Sequence, residues 1–173
     1  MSGRRGQGGQ RRGGWGGVLL MTSMACGAGI LGGMQDPANI QAWHRAMELA
    51  VRVHRITRNI RRAEAPGLAS QLRRAVGSIP ANIAEGVGQP TAADCARFLS
   101  YAISSAFEVE SHLVLADKLG LKLPGIGDAI DETRQVRRMT YGLRQHFVRK
   151  AADEKAAAKT KEASRPSDLP PPP

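Results

Sequence analysis

LASQLRRAVGSIPANIAEG, residues 68–86, carries two interleaved series, each stepping by three or four residues. Leu72, Val76, Ile79 and Ile83 are apolar, whereas Arg74, Ser78, Asn82 and Glu85 are polar. Side chains at that spacing share a face of an α-helix, so the segment reads as one helix with a core stripe beside a polar stripe. Pro80 stands mid-pattern. Inside a helix, proline removes an amide donor and clashes with the carbonyl four residues back, here that of Val76, at about 3 kcal/mol. A helix that keeps such a proline and a polar stripe beside its core is packed against something specific.

Upstream, residues 40–62 continue the helical spacing, with Ile40, Trp43, Met47, Ala50, Val53 and Ile60 as the expected stripe and Ala46 and Ile56 beside it. Ala65-Pro66-Gly67 breaks the pattern. Downstream, Gly86-Val87-Gly88-Gln89-Pro90 ends the deciding helix. Thr91 followed three residues later by Asp94 is a capping pattern, the hydroxyl taking an orphan amide. It opens a third helix to Leu119, with Phe98, Ala102, Ala106, Val109, Leu113 and Ala116 facing inward. Residues 120–127 hold Pro124 and three glycines and read as a loop. A fourth helix starts near Asp128, presents Ile130, Val136, Met139, Leu143 and Phe147, and is expected to fray after Arg149. No strand pattern competes. Four helices of roughly 20 residues with short links predict an all-α fold, an antiparallel up-and-down four-helix bundle over residues 34–150.

Composition agrees. Aromatic residues make up only 4% of the chain, so the core has to be built from Ala, Leu, Ile and Val, which favours helices over sheets. Cys26 and Cys95 lie far apart and form no metal-binding spacing, which excludes a disulfide framework and favours a cytoplasmic protein. The net charge of +10 divides into +4 from residues 1–33, +6 from residues 34–150 and zero beyond.

Residues 1–33 are read as a disordered or mis-annotated leader outside the domain. A Gly- and Arg-rich stretch followed by the apolar residues 18–31 has the outline of an export signal. The apolar run is interrupted by Gly27 and Gly29 and is shorter than the roughly 20 residues that span a bilayer. Met34, just before the first amphipathic pattern, is the alternative start. Residues 151–173 are read as a frayed helix end and a disordered tail, because the terminal PSDLPPPP cannot continue a helix.

Two residue groups invite a functional reading. Arg73, Arg74, Ser78, Asn82 and Glu85, with Glu108 on the third helix, are expected to form a structural polar network between helices two and three or between subunits. Ser78 and Asn82 can relay hydrogen bonds along it. Arg45, Arg52, Arg55 and Arg62 line the polar side of the first helix, and Arg134, Arg137, Arg138, Arg144 and Arg149 that of the fourth. Those helices are neighbours in a sequential bundle, so the rows can merge into a patch able to track an RNA or DNA backbone; the alternative is an ordinary solvated helix surface. Glu48, Asp131 and Glu132 dilute them, and aromatics for base stacking are nearly absent.

Nothing points to catalysis. His44, His54, His112 and His146 are dispersed and form no metal-binding pair, Cys95 has no base beside it in sequence, and Gly86-Val87-Gly88 lacks the spacing of a phosphate loop. No enzyme activity, cofactor, metal, membrane or small-molecule substrate is expected.

SQLRRAVGSIPANIAEG (residues 70–86) resembles the signature of four-helix-bundle proteins related to those encoded in intervening sequences of bacterial 23S ribosomal RNA. FLSYAISSAFEVESHLVLADKLG (98–120) and IQAWHRAMELAVRVHRIT (40–57) resemble the third and first helices of that family. The resemblance covers residues 34–150. It implies a four-helix bundle assembling as a ring-shaped homo-oligomer, typically a pentamer, and no established enzymatic activity. A more distant relative is the accessory protein of diversity-generating retroelements, a basic pentamer that binds nucleic acid and a reverse transcriptase; this chain lacks its strongly basic excess. The expected function is a non-enzymatic homo-oligomeric scaffold. The alternative is a nucleic-acid-binding accessory protein partnering an RNA-processing or reverse-transcribing enzyme.

Overall fold

The computed structural model describes residues 36–61 and 63–163. The leader at residues 1–33, Arg62 and the proline-rich end lie outside the described residues. Among those described, a single 3-10 turn (Pro37–Asn39) precedes four α-helices, and no strand occurs: α1 (Gln41–Thr57), α2 (Leu68–Val87), α3 (Ala92–Lys118) and α4 (Ile126–Ala163). The fold is an all-α four-helix bundle. α2 packs chiefly on α1 and α3, and α4 on α3 and α1. Along α3 and α4 the bonded pairs run in opposite senses, Glu110 with Arg134 and Ser100 with Arg144. No described helix is long and apolar enough to cross a membrane.

Local chemistry fixes the helix ends. Gly67 holds φ +81 at the start of α2, a left-handed conformation that glycine adopts without a Cβ clash. Thr91 Oγ1 accepts the Asp94 amide at 3.1 Å and lies 2.6 Å from the Asp94 carboxylate, so α3 opens on a satisfied cap.

The core stripe of α2 is completely buried, with Leu72, Val76, Ile79 and Ile83 all at 0% exposure. It meets Leu49 and Val53 of α1, Leu99, Val109 and Leu113 of α3 and Val136 of α4 in one continuous cluster. Two helices differ from the sequence expectation. In α1 the buried series is Ala42, Ala46, Leu49, Val53 and Ile56, whereas Met47 is 43% exposed and Trp43 and Ala50 are half-buried. Two overlapping apolar series run along this helix, and the one that carries Leu49 and Val53 joins the core cluster with α2, α3 and α4. α1 also closes at Thr57, five residues before the expected end.

In α4 the buried positions are Ala129, Thr133, Val136, Thr140 and Phe147. The threonine hydroxyls bond to the carbonyls of Ala129 and Val136, at 2.6 and 2.9 Å, so they enter the core without unpaired polar atoms. Ile130, Met139 and Leu143 flank this stripe. The helix runs on past Arg149 to Ala163, and from Ala152 onward every residue is exposed. Alanine, lysine and glutamate favour helix intrinsically, which accounts for the continuation without packing.

Candidate functional site

Three seams and one helix face hold the candidate residues. At the α2–α3 seam, Ser78 Oγ donates to Ala75 O at 2.8 Å and lies 2.7 Å from Ser105 Oγ of α3. Asn82 Nδ2 donates to Ser78 O at 2.8 Å. These bonds brace the turns on either side of the buried Pro80, where the helix ladder loses a donor. One helical turn on, the helices almost touch: a Cβ added at Gly86 would lie 3.0 Å from Phe98 Cβ and 3.3 Å from Cys95 O. Cys95 is buried here, and burial pushes its thiol up to about 11, with the charge of Lys150 working weakly the other way. It is a packed, protonated thiol.

The wider polar network does not form within one chain. Arg73 leaves it for α1, donating from Nε to Thr57 Oγ1 at 2.9 Å. Among the described residues Arg74 bonds the side chain of Gln71 alone, one turn back. Among the described residues the Glu85 carboxylate receives no hydrogen bond and joins no ion pair. Glu108 stands 3.7 Å from His112, a turn along its own helix. Helical spacing placed these groups near one face, but faces of 3.6-residue periodicity point in several directions: Ser78 and Asn82 lie towards α3, Arg73 towards α1, Arg74 and Glu85 outward.

At the α3–α4 seam, Glu110 accepts Arg134 Nε at 2.7 Å and Arg137 Nη1 at 2.5 Å. The Arg137 guanidinium also stacks over Phe107, 4.1 Å from the ring centroid. Arg134 is held above its ordinary pKa, chiefly by its hydrogen bond to Glu110. Arg144 Nε donates to Ser100 Oγ at 2.7 Å. Sequence reasoning missed Glu110. Glu108 and Glu110 flank the core residue Val109 on either side, and adjacency in sequence does not say which of them turns to α4.

α1 and α4 border a groove of about 1040 Å³. Arg52 Nε crosses it to Glu132 at 2.6 Å, and Arg45 reaches Gln135 at 3.2 Å and Glu48 at 2.7 Å. The expected merger of two arginine rows is corrected here. Arg134, Arg137 and Arg144 turn to α3, leaving Arg138 as the α4 arginine that lines the groove with Arg45, Arg52 and Arg55. Glu48, Asp128, Asp131 and Glu132 line it too, so four arginines face four carboxylates and no basic patch results. Arg149 is exposed, fourteen residues before the end of α4, and Arg62 lies outside the described residues.

The family model of the 23S rRNA-intervening sequence protein matches residues 38–142, more than half of the chain. The chain belongs to that family. No curated protein matches it. In this 23S rRNA-intervening sequence family member, the matched region takes in α1, α2, α3 and α4 as far as Gly142, so it holds all three seams except the Arg144 contact. The exposed final turns of α4 lie beyond it.

Proposed function

We propose that this chain works as a non-enzymatic, self-assembling four-helix scaffold. The observation that carries the reading is the set of large apolar side chains the folded chain leaves in water. Met47 and Val51, 43% and 49% exposed, border a shallow groove on α1 with Ala50 and His54. On α3 and α4, Tyr101, Phe107 and Tyr141 are 50%, 54% and 52% exposed. α1 and α3 are each flanked by α2 and α4, so these apolar surfaces lie on different sides of the bundle. Apolar surfaces on different sides suit a head-to-tail contact, the kind that closes into a ring. Resemblance to the family puts the expected number at five.

The nucleic-acid reading has less support from the geometry, because three of the α4 arginines are engaged with α3 and the groove is charge-balanced. Light scattering on the full chain at micromolar concentration tests the scaffold reading. A stable multiple of the chain mass is expected, free of co-purifying nucleic acid; a monomer would reject assembly, and bound RNA would favour the accessory-protein reading.

A further inference from the structure

We propose that α1 of one copy packs against α3 of the next, the two helices running parallel, with Val51 seated between Tyr101 and Glu108. The contact rests on the self-assembly proposed above and specifies how its head meets its tail.

Each of these helices turns a straight stripe outward. On α1 it is Met47, Val51, His54 and Arg58; on α3 it is Tyr101, Ser104, Glu108, Ser111 and Leu115, all of them exposed. Both stripes step by three or four residues, the spacing of neighbours on one helix face. Tyr101, Ser104, Ser105 and Glu108 stand at i, i+3, i+4 and i+7, the corners of a hole that receives one side chain from a facing helix. Two serines floor it, and Ser105 is fixed there by donating to the Tyr101 carbonyl at 3.0 Å. The space between them suits a short branched side chain such as Val51. Arg58 comes seven residues after Val51, and Glu108, Ser111, His112 and Leu115 repeat the hole seven residues on. One register therefore seats both side chains. It lays the Arg58 stem along Leu115 with its guanidinium against Glu108, and it sets Met47 beside Tyr101.

The order of charges fixes the direction. The α1 stripe is apolar at its start and basic at its end. Parallel packing brings that basic end to Glu108, whose side chain is 47% exposed and has His112 at 3.7 Å. Antiparallel packing with Val51 in the same hole would instead carry Arg58 towards Arg97, which is paired with Asp94 at 2.9 Å. Like charges set together oppose association. The geometry of a ring asks for the same direction. Within one chain α4 runs opposite to α3, through Glu110–Arg134 and Ser100–Arg144, and opposite to α1, through Arg45–Gln135 and Arg52–Glu132. Hence α1 and α3 point the same way, and copies rotated about an axis along the bundle keep them parallel. A two-fold axis across the bundle would set them antiparallel.

The test is sedimentation of the full chain at low ionic strength, helical content being checked by circular dichroism. Glu108→Arg and Arg58→Glu are each expected to weaken association about tenfold or more, and the double reversal to restore it. Val51→Arg and Ser104→Trp, both at exposed positions, block one side of the contact each. Each variant alone is expected to be monomeric. Their equimolar mixture is expected to stop at a dimer, because one intact α1 and one intact α3 remain. If the parent assembles and any of the four single variants associates as tightly, this contact is wrong while self-assembly stands. Blocked variants that stay monomeric when mixed would overturn the pairing of α1 with α3. Weakened reversals with an unrescued double would overturn the parallel register. A parent that stays monomeric overturns both this contact and the scaffold reading.

Discussion

The α2–α3 and α1–α4 seams join helices of the same fold by opposite means. Between α2 and α3 a methyl group at Gly86 would fit only if Phe98 or the Cys95 carbonyl gave way, and the fully buried Leu99 lies against the same spot. Between α1 and α4, Arg45 and Arg52 bridge an open groove to Gln135 and Glu132. Dispersion and apolar burial act at the first seam with water excluded. At the second, solvent screens the charges and side-chain entropy opposes holding them in place. The closely packed seam should therefore dominate stability, although the groove has the more conspicuous contacts.

Ile83→Ala is the strongest way to break that contrast. The side chain is fully buried at the packed seam, and truncation leaves a cavity the neighbouring helices fill only partly. A loss of about 2–5 kcal/mol is expected in urea unfolding. Arg138→Ala, exposed on the α4 side of the groove, should move stability by less than about 0.5 kcal/mol. Comparable losses for the two would mean that the seams are equivalent.

Gly86→Ala sharpens the same point with one methyl group. Alanine is the better helix former by about 1 kcal/mol, which alone would stabilise α2. Here the added carbon meets Phe98 Cβ and the Cys95 carbonyl, and neither can rotate aside. Overpacking of this kind costs about 1–3 kcal/mol, so a net loss is expected in thermal unfolding. A gain would show that the helices can separate freely.

The contrast also marks what was legible in the sequence. Packed stripes repeat every three or four residues, so the α2 core and the Thr91 cap were readable, as were five inward positions of α3 from Ala102 to Ala116. α1 was misread because Met47, Ala50 and Val51 form a second apolar series, and periodicity alone does not say which series finds a partner. The polar candidates were harder. A long arginine side chain reaches in a direction set by the nearest carboxylate, and the hub Glu110 had drawn no notice, so Arg134 and Arg137 were assigned to the wrong neighbour. Short side chains such as Ser78 and Asn82 have little reach, and they bond within their own turns and to α3.

Cys95 gives the packed seam a pH signature. Its thiol is raised by burial to about 11 in the folded chain, against an ordinary value of 9.0. Below pH 9 both folded and unfolded chains keep the proton, and the thiol adds no pH dependence. Between pH 9 and 11 the unfolded chain releases it and the folded one does not, so stability falls as pH rises. Cys95→Ala should flatten that alkaline slope relative to the parent in urea unfolding at pH 8, 9 and 10. An unchanged slope would mean that the thiol ionises freely and the seam admits water.

The smallest effect is expected at the ion pair that looks strongest. Arg52 and Glu132 approach to 2.6 Å; the Glu132 side chain is only 10% exposed, but that of Arg52 is 48% exposed. The carboxylate has therefore lost part of its hydration, while the guanidinium keeps much of its own and is open to counterions. Attraction is offset by immobilising a long side chain across an open groove. A double-mutant cycle with Arg52→Ala and Glu132→Ala isolates the pair from the packing each residue contributes. The coupling should be about 0.2–1 kcal/mol, in the range of exposed pairs, and should decline as salt is raised from low to molar concentration. A salt-insensitive coupling of several kcal/mol would place the pair in a closed, low-dielectric seam, and the difference between the two sides of the bundle would disappear.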